Sequence, residues 1–177
     1  MSPPSAAPPR NRWRLPAAAA MALALAAAAA YFMPMPKYAA PNAVFTSLSG
    51  ERIALAQLRG KVVLVNFWAA SCAICVHEMP AMVDLYKRYA GQGLQFVAVA
   101  MSYDPPNYVL NYAQTRKLPF TVALDPQDEL AHAFGGVDAT PTTFLIGKDG
   151  NILERYIGVP EAGALQRSLE QALAAPG

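Results

Sequence analysis

The chain has 177 residues, 54% of them hydrophobic, and a formal net charge of +2. That length allows one ordinary domain plus a tail. Arg10, Arg12, Arg14 and Lys37 all precede the first acidic residue, Glu51, and from Tyr38 onward ten basic residues face twelve acidic ones. A domain with that balance lacks the basic footprint of a nucleic-acid binder.

Residues 1–14 are a Ser/Pro/Ala-rich stretch ending in three arginines. Residues 15–33 carry no charge, and their length approaches the ~20 residues a helix needs to cross a bilayer. Basic residues ahead of such a stretch stay on the cytoplasmic side. The expectation is a single-pass anchor in a bacterial inner membrane, with the rest facing the periplasm or cell exterior. The alternative is a signal peptide cleaved near Ala28–Ala30, leaving a soluble periplasmic domain. Residues 34–42, with Pro36 and Pro41, read as a linker, and 43–177 as the folded domain.

Within that domain, Val44–Leu48 and Arg52–Leu55 read as short strands around a Ser49–Gly50 turn. Val62–Trp68 is apolar apart from Asn66, the pattern of a strand covered on both faces. Met79, Met82, Leu85, Tyr86 and Tyr89 recur at helical spacing, and Gly91 and Gly93 end that helix. Leu94–Met101 is a second apolar strand. Asp104, Pro105 and Pro106 open a helix carrying Val109, Leu110 and Tyr112. Phe120–Leu124 is a third strand, and Asp128–Phe134 a short helix. Thr142–Ile146 and Ile152–Ile157 flank an Asp149–Gly150 hairpin turn. A last helix begins near Pro160, with Leu165, Leu169 and Leu173 on one face. Strands alternating with helices predict an α/β fold: a central mixed sheet flanked by helices, with an N-terminal hairpin extension.

The two cysteines, Cys72 and Cys75, stand three positions apart, which excludes a long-range disulfide framework within one chain. A strand ends at Trp68 and a helix starts near Cys72. Amide N–H groups at a helix N-terminus favour a thiolate, the species that attacks disulfides. A second thiol one turn on can then resolve the mixed disulfide.

Phe67-Trp68-Ala69-x-x-Cys72-x-x-Cys75-x-x-Glu78-Met79-Pro80 resembles the thioredoxin-like redoxins of the TlpA and ResA type. Leu58-x-Gly60-Lys61 and Thr140-Pro141-Thr142-Thr143-Phe144 extend the match in the same order. The resemblance implies a thioredoxin fold, a nucleophile at Cys72, a resolving thiol at Cys75 and a cis bond before Pro141. It implies disulfide exchange with exported proteins such as apocytochrome c or copper-site assembly proteins, and a membrane thiol carrier as electron donor. No cofactor is expected. The backbone of Thr140 beside Pro141 is left to pair with an extended substrate, and Trp68 is a candidate substrate contact.

Some positions depart from the family pattern. Ser71 replaces a common tryptophan, and Ala73-Ile74 place no charge between the cysteines. Asn66 stands where cytosolic thioredoxins bury an aspartate, so a water or another carboxylate must move the proton; Glu78 is a candidate, or simply a first-turn residue favoured by the helix dipole. Three rival chemistries have weaker patterns. Cys72, Cys75, His77 and His132 lack zinc-finger spacing, and copper carriers of this fold space their cysteines more widely. Peroxiredoxins carry a threonine where this chain has Ala69.

Overall fold

The computed structural model describes residues 21–22, 38–161 and 163–176. The chain divides into two units, 1–36 and 37–177, and the second holds the fold described below.

Among the described residues of that unit, eight strands and four α-helices follow in order. They are β1 (Tyr38–Ala39), β2 (Val44–Thr46), β3 (Arg52–Ala54), β4 (Val62–Trp68), α1 (Ala73–Tyr89), β5 (Leu94–Ala100) and α2 (Pro106–Arg116). Then come β6 (Thr121–Leu124), α3 (Glu129–Ala133), β7 (Thr142–Ile146), β8 (Asn151–Ile157) and α4 (Ala164–Ala174). Six strands form one sheet in the order β1-β8-β7-β4-β5-β6. β4, β5 and β6 run parallel, while β7 is antiparallel to β4 and to β8. The result is a mixed sheet with helices packed on it, the thioredoxin fold.

β4 is central because its sequence tolerates burial on both faces. All seven of its residues are buried. Alternation sends Val62, Leu64 and Trp68 to one core and Val63, Val65 and Phe67 to the other. The first core is closed by Met79 and Met82 of α1, Val109 of α2, and Leu165 and Leu169 of α4. The second holds Phe45, Phe67, Phe134 and Phe144, with the three last-named rings meeting edge-on or tilted. Asn66, the polar exception, donates from Nδ2 to Thr143 Oγ1 across the β4–β7 pair at 2.8 Å.

Both sheet edges are managed. The β2–β3 hairpin lies against β6, where Ser47 bridges Ala123 and Leu48 N–H donates to Val122 O at 3.0 Å. That covers a row of backbone groups which would otherwise invite pairing with another chain. At the other edge, Tyr38–Ala39 pairs with Asn151 and Ile152 of β8. The expected 34–42 linker therefore contributes a strand. Two residues held by backbone bonds, with the Tyr38 side chain exposed, leave no hydrophobic alternation to read.

The expected membrane segment is corrected. Among the described residues, no helix is long and apolar enough to cross a membrane. The longest, α1, has 17 residues and carries charges; at ~1.5 Å per residue it falls short of a ~30 Å hydrocarbon core. Residues 15–33 lie outside the described residues except for Met21 and Ala22. More than half of that stretch is alanine, whose methyl group gains little from leaving water. The inner-membrane location, the membrane partnership and the membrane-bound electron donor have no spanning helix among the described residues to rest on. The fold class stands without that part.

Candidate active site

β4 delivers the chain to the C-terminal edge of the sheet, where parallel strands present their functional loops. Residues Ala69–Ser71 then turn into α1. Cys72 is the N-cap of that helix, with extended backbone (φ −86°, ψ 106°), and its Sγ accepts the N–H of Cys75 at 3.2 Å. The sequence thus uses a sulfur where helices usually place a Ser, Thr or Asp oxygen. Cys72 and Cys75 are joined as a disulfide with Cα atoms 5.2 Å apart, within the usual range for such bridges. The two sulfurs differ in surroundings. Cys75 is buried at 2% exposure, while Cys72 is half-buried at the surface edge. Ile74, between them, is exposed.

The register of β4 against β7 sets Phe67 opposite Thr142. That places the residues just before β7 beside the loop just after β4. The Thr140–Pro141 bond there is cis, and Thr140 O lies 3.9 Å from Cys72 Sγ. This is a contact and not a hydrogen bond, because a disulfide sulfur carries no proton. Thr142 Oγ1 donates to Ala139 O at 2.7 Å, and Gly158 N–H donates to Pro141 O at 2.7 Å, so the loop is held from both sides.

Glu78 sits one turn beyond Cys75 and is buried. Desolvation raises its carboxyl from the ordinary 4.5 to about 7, because a carboxylate in an apolar setting loses its hydration. Trp68, expected at the substrate, is fully buried. Its ring packs on Tyr112 at 5.3 Å, and it presents no surface to a partner in this state. His77 and His132 are both exposed. Among the described residues, no group of three Cys, His, Asp or Glu side chains comes together as a metal-ligand set.

Two residues that sequence reasoning passed over belong to the site. Asp104 is buried, and its carboxylate accepts the N–H of Ala70 and, at 3.3 Å, that of Ser71. Tyr103, its neighbour, shares a 3.0 Å hydrogen bond between its hydroxyl and Thr140 Oγ1. Asp104 looked like a helix opener, yet Pro105 is the N-cap of α2 and Asp104 reaches back instead. Its position just past β5, the strand parallel to β4, was the available signal. Such a residue falls beside the loop that follows β4.

Comparison with known proteins agrees with this geometry. Residues 35–173 match the Redoxin family model. Thiol-disulfide oxidoreductase ResA of Bacillus anthracis is 40% identical over 119 residues, which cover 67% of this chain and 68% of that one. The ResA of Geobacillus kaustophilus is 37% identical over 131 residues, 74% of each chain. A thiol:disulfide interchange protein of the thioredoxin family from Chlorobium tepidum superposes with a TM-score of 0.72 at 30% identity, covering 80% of this chain and 99% of that one. The chain belongs to the redoxin family, as a thioredoxin-fold thiol–disulfide oxidoreductase related to ResA.

Proposed function

We propose that the Cys72–Cys75 dithiol reduces disulfides of exported partner proteins, apocytochrome c among them, with Cys72 attacking and Cys75 resolving. The Cys72 thiolate attacks one sulfur of the partner's disulfide, and the other partner sulfur leaves as a thiolate. Cys75 then loses its proton and attacks Cys72 Sγ, which releases the second partner thiolate. Two electrons pass to the partner, and the Cys72–Cys75 disulfide remains.

The observation that carries this order is the difference in exposure between the two sulfurs. A sulfur at a helix N-cap has access and dipole stabilisation, whereas a buried thiol is held protonated until a mixed disulfide comes within reach. Glu78, one turn from Cys75 and poised near neutrality, is the proposed acceptor of the Cys75 proton. The backbone of Thr140, beside Cys72 Sγ, is the proposed docking edge for an extended partner segment, with Pro141 shaping its turn. Trp68 supports the nucleophile loop from beneath.

Trapping tests the order of attack. Cys75→Ser is expected to accumulate covalent complexes with partners that dissolve on adding dithiothreitol, and Cys72→Ser to give almost none. Equal trapping by both variants, or trapping through Cys75 alone, would contradict the assignment.

A further inference from the structure

A carboxylate is almost never fully buried unless something pairs with it. Asp104 is 3% exposed, and its partners are two backbone amides. One oxygen takes the N–H of Ala70, and the other takes the N–H of Ser71 at 3.3 Å. Those are the last two residues before Cys72. The segment that carries Asp104 is itself fastened. Met101 N–H donates to Trp68 O at 3.0 Å, and Asp104 N–H to Met101 O at 3.1 Å. Ser102 Oγ donates to Asp128 Oδ2 at 2.8 Å, and Tyr103 reaches Thr140 at 3.0 Å. Residues 101–104 therefore brace both halves of the site, the nucleophile loop and the Pro141 loop.

Resting on the reading that Cys72 is the attacking thiol, we propose that Asp104 is a positioning residue that keeps the Cys72–Cys75 pair reducing. The carboxylate and the Cys72 sulfur compete for the same donors. Backbone N–H groups near a cysteine stabilise its thiolate, and a stabilised thiolate makes the disulfide a stronger oxidant. Here Asp104 occupies the amides of Ala70 and Ser71, so neither can turn to the sulfur. The N–H that does reach Cys72 Sγ comes from Cys75. The carboxylate also sets a negative charge one peptide unit from Cys72, which opposes a second negative charge there. Both effects weaken the reduced form relative to the disulfide, so the dithiol gives up its electrons more readily.

A plain folding pin makes a different forecast. Asp104→Asn preserves size and one acceptor oxygen but removes the charge, and Asp104→Ala removes both. A pin would lower stability in either variant and leave the redox equilibrium where it was. The test equilibrates the full chain and both variants with reduced and oxidised glutathione, quantifies the dithiol by alkylation, and measures thermal unfolding separately. The expected result is a shift of at least tenfold toward the dithiol in both variants, about 30 mV for a two-electron couple. Should Asp104→Ala fail to fold, Asp104→Asn decides alone. Exchange in all folded forms with equilibrium constants within twofold of the parent would overturn the proposal and leave the function of the cysteines intact. Absence of exchange in the parent chain would instead overturn the reading of Cys72 and Cys75, and this proposal with it.

Discussion

Glu78 gives the site a pH dependence whose sign and size follow from burial. Its carboxyl titrates at about 7 in the folded chain against an ordinary 4.5, with desolvation as the cause. In the unfolded chain that desolvation is gone. Folding therefore disfavours the ionised form, and between the two values the folded chain binds more protons than the unfolded one. The stability associated with the neutral carboxyl is full below pH 4.5 and is lost as pH rises through about 7. At ~1.4 kcal/mol per pH unit, the gap amounts to on the order of 3 kcal/mol. Glu78→Gln keeps the shape and removes the titration. Urea unfolding of the oxidised protein and of this variant, from pH 4 to 8.5, isolates the contribution as a difference. The variant should gain on the parent as pH rises, most steeply between pH 4.5 and 7, and end on the order of 3 kcal/mol more stable. Two curves that stay parallel over that range would refute the reasoning.

Three further outcomes are expected. Leu169, fully buried on α4, should cost about 2–5 kcal/mol when changed to alanine, measured by urea unfolding; a cost well under 1 kcal/mol would mean that α4 contributes little to the core. Asn66→Ala strips Thr143 Oγ1 of its buried 2.8 Å partner and should cost about 1–3 kcal/mol, with no change in unfolding counting against that bond. Lys148 Nζ donates to Leu173 O and Ala175 O, at 2.8 and 2.7 Å, at the C-terminal end of α4. Lys148→Met should therefore lower the melting temperature and speed amide exchange in the last turn of α4.

The legible parts of this fold were those where one physical pressure dominates. β4 announced itself because a strand covered on both faces has to be apolar throughout, and its bounds, Val62–Trp68, are those of the apolar run. α1 was legible from its methionine and tyrosine spacing, and its start from Cys72, which caps the helix with its own sulfur. Other parts left no such mark. β1 is two residues held by backbone bonds to β8, and such bonds are indifferent to side-chain identity. Asp104 and Tyr103 act across long sequence separations on Ala70, Ser71 and Thr140, and a lone Asp before two prolines has a simpler local explanation. Trp68 could be read as a substrate contact, a shield for the disulfide or plain packing, and it packs inward on Tyr112, because the seventh residue of β4 still alternates toward the core. The N-terminal stretch met a length rule through absence of charge alone, with alanine supplying most of it, and all but Met21 and Ala22 of it lies outside the described residues.

The central claim is that this dithiol donates electrons, and the equilibrium reduction potential of the Cys72–Cys75 couple against glutathione tests it most directly. Neither residue between the cysteines carries a charge, and Asp104 holds the two amides ahead of Cys72. Both features favour a value near the roughly −270 mV of thioredoxin. A value near the roughly −120 mV of a strong disulfide oxidant would contradict the account, since the pair would then take electrons from its partners.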